Sequence, residues 1–250
     1  MTEERHKLTC EMVDLHNRLR PYAFMGLAQE IGNEDALHYG LGFYELLEKN
    51  LTWVLSRMHF VVRRPALWRD EVLLRTQSRG VVGPFFVRDY VLSDPADPAA
   101  VPYVQGTSSW VLLDVRERKL VRNDVLGDTA LASPGTLAGA LEEPAPRVAF
   151  PRKAERTPAG CRRVRYSDLD HNGHTNNATY ILWALDCLPP EVTLERWCRE
   201  VSINFSRETR PGEEVSLSYV GTADAETGAQ VFFVEGVEGE SVIFTARLVF

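Results

Sequence analysis

Val164-Arg165-Tyr166-Ser167-Asp168-Leu169-Asp170-His171-Asn172-Gly173-His174-Thr175-Asn176-Asn177-Ala178-Thr179-Tyr180-Ile181-Leu182-Trp183-Ala184-Leu185-Asp186 sets a turn dense in polar side chains against the start of an apolar helix. Val164 and Tyr166 close a short β-like run. Asp168 to Thr175 form a turn rich in Asp, Asn and Gly, and Asn176 or Asn177 can cap the helix that follows. From Asn177 to Leu188 the chain is apolar on nearly every side, with Ile181, Ala184, Leu185 and Leu188 at i, i+3, i+4, i+7 spacing, and Pro189-Pro190 stops it. A helix apolar all round is buried. Its N-terminus aims unpaired N–H groups and a positive dipole end at a turn carrying Asp170, Asn172 and His174, as a developing oxyanion requires.

Outward from this stretch, the same grammar occurs twice. After the helix come β-like runs near 195–206, 214–222, 229–235 and 241–249, and a short strand at 161–166 precedes it. In the first half, Glu11 to Leu15 leads through Asn17 and Arg18 to Pro21, a good first-turn residue, after which Phe24, Leu27, Ala28 and Ile31 follow helical spacing. β-rich runs at 51–62, 71–80, 84–92 and 103–115 follow, with Ser93 to Pro102 as a long hairpin loop. Gly127 to Gly160 holds five prolines without sustained periodicity and reads as a linker. The expected division is therefore a first domain over 1–126, a linker over 127–160 and a second domain over 161–250. Each domain is an antiparallel β-sheet with a central α-helix, an α+β architecture in tandem.

Aligning the halves on Asn17 and Asn172 puts Leu15 and Leu19 opposite Asp170 and His174. The ionisable pair then belongs to the second half alone. That contrast suggests that the first half houses an apolar ligand and the second does the chemistry. Met25 and Ala28 on the first helix, with Trp53 and Met58 on the next β-like run, are the expected lining, and enlarging Ala28 or Gly26 should favour shorter ligands.

The motif Asp170-x-Asn172-x-His174, followed by Asn176-Asn177 and by Tyr180-Ile181-x-Trp183, resembles the second-half signature of the acyl-ACP thioesterases. Asn50-Leu51-Thr52-Trp53-Val54-Leu55-Ser56-Arg57-Met58, Trp68-Arg69-Asp70-Glu71-Val72 and Ser108-Ser109-Trp110-Val111-Leu112-Leu113 resemble that family's first half in the same order. The resemblance runs from about Val13 to about Val215 and implies a tandem, or double, hotdog fold, each sheet wrapped around its helix. It implies hydrolysis of the thioester on an acyl carrier protein bearing an acyl-phosphopantetheine, with release of free fatty acid. It also adds an acidic residue from a downstream Arg-Glu-Cys segment. Here that segment is Arg207-Glu208-Thr209, so Glu208 matches the acid and Thr209 stands where plant members often carry Cys.

A thioester needs an activated water and an oxyanion donor, because its thiolate departs readily. With no Cys at position 209, the expected mechanism uses water, Glu208 and His174 activating it, Asn172 orienting water or carbonyl, and Asp170 holding Asn172 and His174. The roles of Glu208, His174 and Asp170 are interchangeable at this level. The same Asx residues also suit an ordinary turn. His171 and His174 form a His-x-x-His pair, but lacking helical phase and a nearby Cys they make a poor zinc site, and neither metal nor cofactor is expected. Two alternatives accompany the hydrolase of acyl carrier protein. One is an acyl-CoA thioesterase of the broader hotdog group, with Asp170 as its catalytic carboxylate, and the other is a non-catalytic acyl-binding protein.

Bulk properties narrow the partners. With 250 residues, 44% hydrophobic and 25% charged, the chain can bury one large core or two modest ones. A net charge of −7 argues against nucleic acid, and no apolar run reaches the roughly 18 residues that span a bilayer. Arg162, Arg163 and Arg165 offer a local basic run for an acidic carrier protein. The polar N-terminus reads as neither signal nor transit peptide, and four cysteines without Cys-x-x-Cys spacing suit a reducing cytoplasm. A monomer or a homodimer is expected.

Overall fold

A computed structural model describes residues 1–126, 131, 133, 135–224 and 227–250. The chain divides into two compact units, Met1–Ala145 and Pro146–Phe250. In the first, β1 (Thr2–Lys7) precedes α1 (Pro21–Leu37) and a short α2 (Phe43–Glu48). β2 (Leu51–Val62), β3 (Glu71–Val82), β4 (Phe85–Ser93) and β5 (Val104–Asp114) follow, and β6 (Lys119–Val121) pairs with the end of β5. The sheet runs β1-β3-β4-β5-β2, every neighbour antiparallel.

The second unit repeats this plan. β7 (Thr157–Arg163) precedes α3 (Asn177–Asp186) and a single-turn α4 (Pro190–Thr193), then come β8 (Glu200–Phe205), β9 (Glu214–Ala223), β10 (Gln230–Glu238) and β11 (Ser241–Val249). Their order, β7-β9-β10-β11-β8, is that of the first sheet, strand for strand. The expected double hotdog is the architecture observed. Among the described residues, no helix is long and apolar enough to cross a membrane.

Each helix lies on its sheet through a size match made differently in the two units. Under α1, Phe24 packs tilted against Phe60 at 5.0 Å between centroids, and a Cβ on Gly106 would sit 3.3 Å from the Phe24 ring. Gly106 pairs across the strands with Tyr90. In the second unit the large and small partners are exchanged. Gly236 pairs with Phe244, whose ring a Cβ at Gly236 would strike, and Phe244 packs on Tyr180 of α3 at 5.3 Å. Close packing leaves room for one ring per crossing, so exchanging the pair preserves the volume.

Local chemistry accounts for the helix ends. Pro21 occupies the first turn of α1, and at its far end Gly40, with φ 66°, returns the Leu41 N–H to the Ala36 carbonyl. Asn176 caps α3 by accepting from the Ala178 N–H at 2.9 Å, which decides between the two candidate caps.

Two segments differ from the sequence expectation. The polar N-terminus forms β1, an edge strand of alternating exposure whose residues, Thr2 to Lys7, carry no apolar period; charge on an edge strand discourages pairing between molecules. β7 begins at Thr157, inside the stretch read as linker, because it too is an edge strand with little buried surface. Residues 127–130, 132 and 134 of that stretch lie outside the described residues. The remainder is strapped down. Ser78 donates to the Leu131 carbonyl at 2.7 Å, Gln105 to Gly139 at 2.6 Å, and Arg79 to Glu142 at 2.6 Å and to Leu141. In the second unit Asn204 donates to Val148 at 2.9 Å and Arg156 pairs with the buried Glu235 at 2.6 Å.

Candidate active site

The turn before α3 is built around Asp170. Its Oδ1 accepts from the Asn172 N–H at 2.8 Å and the His174 N–H at 3.2 Å, and its own N–H donates to the His174 carbonyl at 2.8 Å. Gly173, at φ 75°, makes the reversal possible. The resulting loop carries His174 to the N-terminal end of α3. There Thr175 donates its N–H to the Thr209 carbonyl at 2.9 Å, drawing in the segment after β8 that holds Glu208. Side chains of successive residues alternate, so buried Thr175 and Thr209 face inward while His174 and Glu208, each about one-third exposed, face out.

His174 Nδ1 lies 3.5 Å from Glu208 Oε2, and Arg210 lies 3.5 Å from Glu208 Oε1. The structure thus brings Asp170, His174 and Glu208 together. Asn172 is exposed, and its described bond is the one from its backbone N–H. Behind the pair, Thr209 Oγ1 meets Thr175 Oγ1 at 2.7 Å and Tyr180 OH at 2.8 Å, three buried hydroxyls to which the sequence assigned no role in the site, although Tyr180 and Thr209 stand in its motifs. Burial pushes the Tyr180 phenol above its ordinary range despite these bonds, keeping it neutral.

The two less exposed cysteines offer no thiolate. Burial pushes the Cys187 and Cys198 thiols up to about 12, and Cys187 sits at the far end of α3. Cys10 and Cys161 are exposed. Among the described residues, no three His, Cys, Asp or Glu side chains are grouped to hold a metal ion.

The first unit carries the same turn, one residue out of the register expected from Asn17 and Asn172. Asp14 Oδ1 accepts from the His16 and Arg18 N–H groups at 2.8 and 2.9 Å, as Asp170 does. Asn17, at φ 63°, matches Gly173, and Leu19 donates to the Ala66 carbonyl at 2.8 Å as Thr175 does to Thr209. Asn is the side chain that best tolerates the left-handed conformation, which is why it stands where the second turn has Gly. The true counterparts of Asp170, Asn172, His174 and Glu208 are therefore Asp14, His16, Arg18 and Pro65. The first half has not lost its ionisable residues, as the sequence alignment implied. Instead Arg18 closes on Asp14 at 2.8 Å, and no carboxylate occupies the Glu208 position.

Of the expected acyl-lining residues, Met25, Ala28 and Met58 are fully buried in the first core. Trp53 is half-buried, donating to the Leu41 carbonyl at 2.8 Å and meeting Phe86 edge-on. Gly26 is exposed, with nothing within 4 Å of an added Cβ, so enlarging it fills solvent and no pocket. An open depression of about 460 Å³ in this unit is lined by Tyr39, Gly40, Leu41, Lys49, Leu51, Asp114, Val121, Val125 and Leu126, and by none of Met25, Ala28, Trp53 and Met58.

Comparison with known families decides the lineage. Residues 1–128 match the acyl-ACP thioesterase N-terminal domain, and residues 153–243 match the acyl-ACP thioesterase C-terminal domain. The chain belongs to the acyl-ACP thioesterase family. Membership places it among the thioester hydrolases. It is 27% identical to the chloroplastic oleoyl-acyl carrier protein thioesterase of Coriandrum sativum, over 97% of this chain and 68% of that protein. It is 28% identical to the chloroplastic oleoyl-acyl carrier protein thioesterase 1 of Arabidopsis thaliana, over 86% of this chain and 62% of that one. The chain thus spans about two thirds of the length of these relatives. In fold it matches an acyl-ACP thioesterase from Bacteroides thetaiotaomicron, with TM-score 0.83 and 23% identity over 100% of this chain and 97% of the other. It also matches the 12:0-ACP thioesterase from Umbellularia californica, with TM-score 0.82 and 20% identity over 99% and 92%.

Proposed function

We propose that this chain hydrolyses fatty acyl thioesters of acyl carrier protein, releasing free fatty acid and the carrier's thiol. The observation that carries the reading is the His174–Glu208 pair, 3.5 Å apart at the N-terminal end of α3, on a turn locked by Asp170. Glu208, assisted by His174, removes a proton from a water molecule. Its oxygen attacks the thioester carbon, the C–S bond breaks, and the departing thiolate takes up the proton. Asp170 holds the turn through its two backbone bonds, and Asn172, exposed on the same turn, orients the carbonyl or the water. The positive end of the α3 dipole favours the oxyanion, although the N–H groups of Asn176, Ala178 and Thr179, expected to be unpaired, are bonded to the Asp168 carbonyl, the Asn176 side chain and the Asn176 carbonyl.

The first unit selects the acyl chain. Trp53 packs in the cluster that contains Leu41 and Leu51, and these two also line the depression of about 460 Å³. That volume falls within the range of about 300–1,000 Å³ common to small-molecule sites. Of the basic run, Arg162 is tied to Asp186 at 2.8 Å, while Arg163 and Arg165 stay exposed for an acidic carrier. Four unbridged cysteines fit a reducing compartment such as the cytoplasm.

The test compares one acyl chain on acyl carrier protein and on CoA, following free thiol release by the purified chain. A higher kcat/KM on the carrier protein is expected. Hydrolysis confined to the CoA ester would move the activity to the broader hotdog group, and binding without release of thiol would make the chain an acyl-binding protein.

A further inference from the structure

The duplicated fold contains its own control for the hydroxyl cluster behind His174 and Glu208. Counting from the start of each helix, Tyr180 occupies the position that Phe24 holds in α1. By the shared backbone bond, Thr175 and Thr209 answer to Leu19 and Ala66. All six residues are buried, and the backbone bond is the same in both units, 2.8 Å in the first and 2.9 Å in the second. The turn, the strand end and the helix therefore assemble in the first unit with no side-chain hydroxyl at these three positions. Three buried hydroxyls bonded to one another contribute little net stability over apolar groups of like shape, since each gave up water to be there. Folding does not explain them.

Their placement does. Thr175 directly follows His174, and Thr209 directly follows Glu208. The 2.7 Å bond between their hydroxyls adds a side-chain tie to the backbone one, and the 2.8 Å bond from Tyr180 fixes both to the first turn of α3. In the first unit, where position 208 is answered by Pro65 and no pair has to be held, the ties are absent. We propose that Thr175, Thr209 and Tyr180 are positioning residues whose hydroxyl brace sets the spacing of His174 and Glu208 and the aim of both relative to the cap of α3. All three are buried behind the pair and act through it. This rests on the reading of His174 and Glu208 as the hydrolytic pair.

The test uses the full chain and acyl carrier protein substrate, with Thr209→Val, Tyr180→Phe, their double variant and the conservative Thr209→Ser. Thr209→Val and Tyr180→Phe should each lower kcat about 10- to 100-fold, the penalty of a small misplacement of reacting groups, with KM nearly unchanged. Thr209→Ser, which keeps the oxygen, should restore most of kcat. Thermal melting should fall modestly in the single variants, which leave buried hydroxyls without a partner, yet both should stay folded, because the first unit folds with apolar residues at these positions. Full kcat in the double variant overturns the brace, and so does unfolding of both single variants, which would make the hydroxyls structural. A wild-type chain that releases no thiol, or Glu208→Gln at full rate, would instead sink the hydrolytic pair on which the brace rests.

Discussion

Asp170 illustrates how one residue serves two ends at the smallest scale. A single carboxylate oxygen holds two backbone N–H groups, so Asp170 shapes the turn in the way an Asx residue does anywhere, and the turn is what delivers His174. Glu208→Gln and His174→Ala should each lower kcat by about 10²-fold or more, the usual worth of general acid–base catalysis, with melting temperature unchanged. Asp170→Ala should match that loss while also lowering stability, since it frees both N–H groups; steady-state rates and thermal melts on the three variants check this. The cysteines give a second prediction. Thiols held up to about 12 by burial stay protonated and shielded, so iodoacetamide at pH 8 should label Cys10 and Cys161 and spare Cys187 and Cys198. Peptide mapping reads the labels, and the alkylated chain should retain its activity. Loss of activity on labelling would implicate a thiol after all.

At the scale of elements, the long helix of the first unit is fastened by charge as well as by packing. Asp35 of α1 meets Arg88 of β4 at 2.7 Å and Thr2 of β1 at 2.6 Å, with both charged side chains buried. Burial pushes the Asp35 carboxyl up, but the Arg88 guanidinium and the hydrogen bonds from Thr2 and Arg88 outweigh it and leave its pKa below the ordinary 3.8. A carboxylate lowered on folding stabilises fully above its unfolded value and loses that contribution as pH falls through the folded one. The pair should therefore support the fold above roughly pH 4 and fail in stronger acid. Arg88→Met, which leaves Asp35 with only the Thr2 hydroxyl and the more distant Met1 amine, should cost about 3 kcal/mol near neutrality by urea unfolding, and adding Asp35→Asn should recover most of it. Strands with alternating or continuous apolar runs were visible in the sequence, β2 over the whole of its expected 51–62. β1 and β7 were not, or not fully, because an edge strand with charged or exposed residues on both faces leaves no period to read.

Across the whole molecule, the two units share a fold and differ at one turn. One unit has the Asp turn with Arg18 paired to its Asp14 and no acid at the position of Glu208, while the other has His174 beside Glu208. If the first unit selects the acyl chain, filling its depression should alter length preference without altering chemistry. Val121→Trp should shift relative kcat/KM toward shorter acyl carrier protein substrates, and Gly26→Leu, which projects into solvent, should leave the profile unchanged. A chain-length series measured on both variants decides it, and an unchanged order with Val121→Trp would place the acyl pocket elsewhere.

The sequence by itself determined the duplication, the two central helices, most of the strands and the turn from Asp170 to His174. These depend on neighbours within a few residues, through apolar periodicity, Pro and Gly stops and Asx hydrogen bonds. Glu208 was legible only through resemblance to a family, since nothing local distinguishes it from other charged residues between Arg207 and Glu214. Its distance from His174, the hydroxyls of Thr175, Tyr180 and Thr209 behind the pair, and the register that equates Asn17 with Gly173 were decided by the tertiary structure. Each depends on a hydrogen bond between segments far apart in the chain, such as Thr175 to Thr209 and Leu19 to Ala66, and only the packed sheet and helix bring those donors and acceptors within reach.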